Sequence, residues 1–301
     1  MVRIGIIGGA GLLGATTAFC LSARGIADEI VLTDIKQNLA KSHAMDIGQA
    51  LCETDGAKLL VGELDDLMSC DVVLNVAGVP EMKASSRDDY LSGNIVIVRE
   101  LAEKIKQWGT SPVILSATNP VDVLNYELFK KTGLPAERFI GFSRNDTLRF
   151  KWAVSEETGI PVKRLDALVI GEHGDGQVPL FEHLRDNVSD QLIALSSLQI
   201  SGIHGRLNSW FRDYQMLDSG RSSGWTSGEG ICRIIELIIN ESDEICPCSV
   251  IPFGEYGLND LSIGLPVRLC RLGVREIVEI DLSMESKAKL MNAADRIRSF
   301  R

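Results

Sequence analysis

The stretch Arg3-Ile4-Gly5-Ile6-Ile7-Gly8-Gly9-Ala10-Gly11-Leu12-Leu13-Gly14 decides the reading of this chain. A β-branched apolar run leads straight into glycines spaced both as G-x-G-x-x-G and as G-x-x-G-x-x-G. Gly8, Gly9 and Gly11 permit a tight turn and let backbone approach a pyrophosphate. Gly14 lets a helix pack closely on the strand, and the helix N-terminus offers free N–H donors to an anion. Asp34 closes the strand-like Glu29–Thr33, twenty residues after Gly14, where a carboxylate can accept hydrogen bonds from ribose hydroxyls. Its charge opposes a 2′-phosphate, so the spacing predicts NAD over NADP, with Lys36 offering only partial compensation. The plainer alternative is a turn with a strand-ending aspartate and no ligand.

Outward from this motif the rhythm is β-α. Arg3–Ile7, Glu29–Thr33, Lys58–Val61, Asp71–Val76 and Val113–Ser116 read as nearly continuous apolar strands separated by amphipathic stretches. Such strands belong to a parallel sheet covered by helices on both faces. Past about Phe142 the pattern changes: a helix over Arg144–Thr158, a strand over Leu165–Ile170, a polar middle, a helix over Ser227–Asn240, hairpin-like strands and a final helix from Met284. The fold class is therefore α/β: a doubly wound parallel sheet over residues 1–142, then an α+β domain over 143–301. No Ser/Pro-rich linker separates them, so a tight junction is expected, and ligand sites favour such junctions.

Composition narrows the class of partner. The 301 residues are 45% hydrophobic and 24% charged, as in ordinary globular proteins. With 31 lysines and arginines against 41 acidic residues the formal net charge is −10 and no basic stripe stands out, so no nucleic-acid partner is expected. Apolar runs break before the roughly eighteen residues a membrane span needs, and Met1 leads directly into a strand, so neither a membrane nor a targeting segment is expected. The seven cysteines are scattered. The close pair Cys246-Pro247-Cys248 lacks zinc-site spacing. They read as reduced, buried thiols of a cytoplasmic protein, with no metal site.

The candidate chemistry lies in Gly171-Glu172-His173-Gly174-Asp175-Gly176, a histidine among glycines just beyond a strand. Histidine titrates near neutrality. His43, His183 and His204 are read as solvated surface groups. Asp146 and Arg149 stand three apart in a predicted helix and share one face; a simple ion pair is the plain reading.

With these segments in hand the chain resembles the lactate/malate dehydrogenase family over essentially its whole length, especially the archaeal-type malate dehydrogenases. The matching motifs are the glycine loop, Ala77-Gly78-Val79-Pro80, Ser86-Arg87-Asp88-Asp89, Thr118-Asn119-Pro120-Val121-Asp122, Asp146-Thr147-Leu148-Arg149-Phe150-Lys151, Gly171-Glu172-His173-Gly174-Asp175 and Gly254-Glu255-Tyr256-Gly257. The resemblance implies a Rossmann-type nucleotide domain and an NAD-dependent 2-hydroxy acid dehydrogenase, assembled as a homodimer or homotetramer. His173 would relay the proton and Asp146 would orient its ring and favour the imidazolium. Arg149 would grip the substrate carboxylate in a fork, while Arg87 and Asn119 would hold the reacting oxygen. Thr226 would line the substrate pocket, and Leu12, Leu13, Ala77, Gly78, Asn94, Thr118 and Asn119 would join the glycines and Asp34 around the dinucleotide.

The pattern departs from the family in one place that matters. Malate dehydrogenases carry arginine, and lactate dehydrogenases glutamine, directly after Gly-Val-Pro, where this chain has Glu81. Two like charges about 4 Å apart at an effective dielectric near 20 repel by roughly 4 kcal/mol, so an inward Glu81 disfavours a dicarboxylate. Either Glu81 faces solvent and Lys83 supplies the cation for malate or oxaloacetate, or Glu81 points inward and selects a cationic or polar distal group, with Glu229 adding to that preference. Relaxed use of small 2-oxo acids such as pyruvate is disfavoured, because an unpaired carboxylate in a closed pocket is costly. Ala84 also replaces the family's usual glycine, and Gly141–Asp146 is one residue short. Competing classes are a metal-assisted NAD-dependent glycosidase and a catalytically silent homologue.

Overall fold

The computed structural model describes residues 1–79, 87–219 and 223–300. In the first half, strands β1 (Arg3–Ile7), β2 (Glu29–Thr33), β3 (Lys58–Val61), β4 (Val72–Asn75), β5 (Val113–Ser116) and β6 (Phe139–Gly141) lie side by side in the order β3-β2-β1-β4-β5-β6, all parallel. Helices α1 (Leu12–Ala23), α2 (Gln37–Ala50), α3 (Arg87–Gln107) and α4 (Val121–Thr132) connect them. The apolar strands split by parity: Ile4, Ile6, Ile30 and Leu32 pack with Ala18 and Leu21 of α1, while Val31, Val73 and Ile114 pack with Val98 and Leu101 of α3 and Leu124 of α4. Both faces are therefore covered, as continuous hydrophobicity requires. Strand order reverses between β1 and β4, and the crevice beyond their carboxyl ends is where such sheets bind ligands.

The second half comprises α5 (Arg144–Thr158), β7 (Leu165–Asp166), β8 (Val169–Gly171), β9 (Gln177–Pro179), β10 (Arg185–Asp186), β11 (Gln191–Leu192), α6 (Ser197–Met216), α7 (Gly224–Asn240), β12 (Cys246–Val250), β13 (Ile263–Cys270), β14 (Gly273–Ile277) and α8 (Met284–Ser299). Here β12 pairs antiparallel with β6, so the sheet runs on through β13, β8 and β9, with β14 also on β13, into eleven strands among the described residues. Strands β7, β10 and β11 form a small separate sheet. Helix α7 lies against α1, and an added Cβ on Gly228 would meet the Thr16 side chain at 2.6 Å.

Three expectations need correction. The strand expected over Leu165–Ile170 is broken at Ala167-Leu168, its two parts entering different sheets. The polar middle holds the twenty-residue α6, which buries only Ile203 and Leu207 and runs unbroken through Gly202 and Gly205. Its start is nevertheless written in a capping box, Ser196 with Gln199. Helix α7 begins at Gly224 rather than Ser227. All seven cysteines are free; Cys70, Cys232, Cys246 and Cys248 are buried, but Cys52 is exposed. No helix among the described residues is long and apolar enough to cross a membrane.

Candidate active site

At the end of β1 the chain turns through Gly8 at φ +90°, where a Cβ would lie 2.8 Å from the Ala77 amide nitrogen. A Cβ on Gly14 would stand 2.4 Å from the Gly8 carbonyl oxygen, so only glycine lets α1 start this close to the strand. Gly11 caps α1 with no side-chain bond to its first-turn N–H groups, leaving donors for an anion. Leu12 is exposed and Leu13 half-buried at this edge. Asp34 reaches the loop: its Oδ2 accepts from Ala10 N at 3.0 Å and its Oδ1 from Lys36 N at 2.8 Å. Glycines that a Cβ would crowd, an uncapped helix start and a carboxylate at the tip of β2 fit a dinucleotide.

Ala77 and Gly78 follow β4 along the same crevice, with Gly78 exposed. Two further residues expected around the dinucleotide, Asn94 and Thr118, are buried here and hydrogen-bonded to the loops. Asn94 is buried, donating from Nδ2 to Asn119 O at 2.7 Å and accepting from Val79 N at Oδ1, also 2.7 Å. Thr118, likewise buried, donates its hydroxyl to Ala77 O at 2.7 Å. They brace the loops on which Gly78 and Asn119 stand. The Asn119 side of the crevice is exposed.

Beyond β8, Gly171 adopts φ +91°, with its would-be Cβ 2.6 Å from Gly176 O, and turns the chain into the loop that carries His173 to Asp146. The His173 Nδ1 lies 2.7 Å from Asp146 Oδ2, the His173 side chain being 15% exposed and that of Asp146 5%. Asp146 sits in the first turn of α5; its other oxygen meets Arg149 Nη1 at 3.3 Å one turn on. Burial alone pushes the His173 pKa down, but the charge and hydrogen bond of Asp146 and the charge of Asp122 outweigh it, against a smaller opposition from Arg149, and hold it above the ordinary histidine value. Glu172 accepts from Gly176 N at 3.0 Å and pairs with Arg296 of α8 at 2.8 Å, and Asp175 pairs with the same arginine at 2.8 Å. The loop is thus latched from behind.

Arg149, expected from the resemblance to grip a substrate carboxylate, makes the ion pair with Asp146 and has a second neighbour that the sequence does not announce. Its guanidinium carbon lies 4.3 Å over the ring of Trp210 on α6, which itself stacks on Tyr214 with centroids 5.2 Å apart. A flat cation on an indole face gains about 0.5–2 kcal/mol and is fixed in plane. Among the described residues its Nε is buried without a hydrogen-bond partner. Burial lowers the Arg149 pKa, with Asp146 opposing.

The remaining assignments separate cleanly. Thr226 is half-buried in the first turn of α7; its neighbour Ser227 takes a 2.7 Å hydrogen bond from Asn145, the residue before Asp146. Glu229 does not serve the pocket: it pairs with Arg24 of α1 at 2.9 Å and its side chain is 60% exposed. Glu81, Lys83 and Ala84 lie outside the described residues, and Arg87 begins α3 with its side chain outside them too. The other histidines are half-buried, and each has a protein neighbour. His43 meets Ala10 O at 3.3 Å, His183 meets Asp281 O at 2.6 Å, and His204 packs on Phe181 with centroids 5.2 Å apart. Each is held where helix or strand packing places it. No group of three or more histidine, cysteine or acidic side chains gathers in metal-holding geometry among the described residues.

Known proteins share this arrangement of elements. Residues 2–141 match the family described as lactate/malate dehydrogenase, NAD binding domain, and residues 144–299 match lactate/malate dehydrogenase, alpha/beta C-terminal domain. The malate dehydrogenase of Halobacterium salinarum is 30% identical, the match covering 99% of this chain and 97% of that protein. The L-lactate dehydrogenase of Latilactobacillus sakei is also 30% identical, covering 97% and 92%. Among solved structures, the malate dehydrogenase from Aeropyrum pernix superposes with a TM-score of 0.92 at 29% identity, covering 99% of this chain and 96% of that one.

Proposed function

The chain belongs to the lactate/malate dehydrogenase family, NAD-dependent oxidoreductases of the CH–OH group, and from that premise we propose that it interconverts an L-2-hydroxy acid and its 2-oxo acid with His173 as the proton relay. The observation that carries this reading is the 2.7 Å bond from the His173 ring to the buried Asp146. An imidazole whose Nδ1–H is held by a carboxylate presents Nε2 as a base toward the crevice. Gly8, Gly9, Gly11, Gly14 and Asp34 would hold the dinucleotide, which when bound would supply a hydride acceptor for oxidation and a hydride donor for reduction. In oxidation, His173 Nε2 takes the hydroxyl proton as the carbinol C–H bond is cleaved, leaving a 2-oxo acid and an imidazolium. In reduction the same nitrogen returns that proton to the carbonyl oxygen.

Arg149 serves as the carboxylate clamp. Its plane is fixed by Trp210 and its buried Nε has no partner among the described residues, so the substrate carboxylate can complete a fork of charge-assisted hydrogen bonds. Asn119 and Arg87 hold the reacting oxygen, and Thr226 borders the pocket. We take the chain to divide at residues 142–143, with these groups drawn from both halves, and a homodimer or homotetramer in the cytoplasm is the assembly and location we propose. The distal group is set around Glu81: malate or oxaloacetate with Lys83 as partner, or an acid with a cationic or polar end. The outward position of Glu229 removes one support from the second choice. Measuring kcat/KM for oxaloacetate, pyruvate and a cationic 2-oxo acid, in native protein and in Glu81→Arg, separates them. A native preference for oxaloacetate that Glu81→Arg leaves unchanged rules out an inward Glu81, and unimpaired turnover by His173→Asn overturns the whole reading.

A further inference from the structure

Asp122 is a buried carboxylate for which the relay described above has no use. It stands in the first turn of α4, 3% exposed, three residues after Asn119. Its Oδ2 accepts the backbone N–H of His173 at 2.8 Å, and its Oδ1 accepts the hydroxyl of Ser249 on β12 at 2.5 Å. Ser249 lies 2.8 Å from Ser262, whose hydroxyl also takes a 2.9 Å bond from Asn125 Nδ2. One side chain therefore ties the Asn119 turn, the His173 loop and the second-half sheet at a single point. Burial pushes the Asp122 pKa up to about 6, although the Ser249 and His173 hydrogen bonds and the His173 charge pull it down. An anion buried at such cost is not explained by packing, since an amide of the same shape would fill the space.

We propose that Asp122 is a positioning residue for the reaction: a second buried carboxylate, beneath the His173 loop, that fixes the backbone of the proton relay relative to Asn119 and supplies negative charge to the imidazolium. The proposal rests on the reading of His173 as the relay. Among the described residues, the charged groups acting on His173 are Asp146 and Arg149 from α5 and Asp122 from α4, while the adjacent Glu172 is paired with Arg296 of α8. Asp146 bonds the ring, while Asp122 bonds the backbone that carries it. Charge from Asp122 favours the protonated ring, so its removal lets His173 give up its proton at lower pH.

Asp122→Asn tests the charge while keeping the shape. The amide oxygen can accept from His173 N–H and the amide nitrogen can donate to Ser249, so the fold keeps its hydrogen bonds. The expected result is a kcat about 10- to 100-fold lower, the cost of slight misplacement and lost charge, with KM for the acid little changed because Arg149 is untouched. The pH limbs of both directions should move to lower pH, and the melting temperature at pH 8 should not fall. Independent of turnover, the His173 ring proton should titrate by NMR at lower pH in Asp122→Asn than in the native protein. His173→Asn identifies its resonance among the four histidines. Should Asp122→Asn fail to fold, Ser249→Ala, which removes a donor from the Asp122 anion, should move the same resonance in the same direction by less. An unmoved His173 titration in the folded variant overturns the proposal even where His173→Asn is inactive. An active His173→Asn overturns the underlying reading instead.

Discussion

Replacing Asp146 by asparagine isolates what the carboxylate does for the relay. The pair is buried, with 2.7 Å between Asp146 Oδ2 and His173 Nδ1. Charge centres about 4 Å apart at an effective dielectric of about 20 interact by roughly 4 kcal/mol, all of it withdrawn from the imidazolium that forms as the proton transfers. At about 1.4 kcal/mol per tenfold, kcat should fall roughly a thousandfold. Asparagine adds a second penalty in the oxidation direction: its amide N–H can donate to Nδ1, which moves the ring proton to Nε2 and blocks acceptance of the hydroxyl proton. Oxidation should therefore suffer more than reduction. Steady-state rates in both directions, followed by NADH absorbance at saturating substrate, give the two ratios. A loss of less than about tenfold in both, with the protein folded, would show that Asp146 neither charges nor orients the ring.

Trp210→Ala removes the surface beneath Arg149, so KM for the 2-oxo acid should rise about 2- to 30-fold with a smaller change in kcat, and Trp210→Phe should recover most of it; equal losses in the two variants would count against stacking. Gly14→Ala places a Cβ 2.4 Å from Gly8 O, and backbone cannot yield cheaply, so about 1–3 kcal/mol of destabilisation and weaker NADH binding should appear together in thermal melts and fluorescence titrations. The pH dependence follows from the raised His173 pKa. Reduction needs the imidazolium and should be fastest on the acid side, falling as pH rises through the folded pKa, while oxidation should rise through the same value. The stability linked to that proton is full below the ordinary histidine pKa and is lost as pH climbs through the folded one, which urea midpoints against pH can follow.

Much of this architecture is written in local sequence because its causes are local. Continuous apolar strands demand two covered faces, so Arg3–Ile7, Glu29–Thr33, Lys58–Val61 and Val113–Ser116 occur with the bounds their composition implies. The helix bearing Asp146 and Arg149 is equally plain, ending at Gly159 in the left-handed region. What escaped notice is what depends on distant partners. Helix α6 buries few apolar residues, so its periodicity is weak and only its cap marks it. Trp210 matters because α6 packs across α5, and no spacing announces that contact. Glu229 sits one turn beyond Thr226, where sequence suggests the pocket, yet Arg24, 205 residues away, pairs with it at the helix surface.

The junction of β6 with β12 has a consequence for how this molecule can move. Ser249 pairs with Gly141 across the boundary between its halves, and α1 nests on α7 with a glycine at the closest approach. Swinging one half against the other would tear a sheet and open a packed helix seam, so the halves have no hinge to turn about. The span from the pyrophosphate turn to the imidazole is thus built into the frame when the chain folds, and is not reset at each turnover. Heat should melt both halves together in one calorimetric transition, without a stage in which the nucleotide half stands alone.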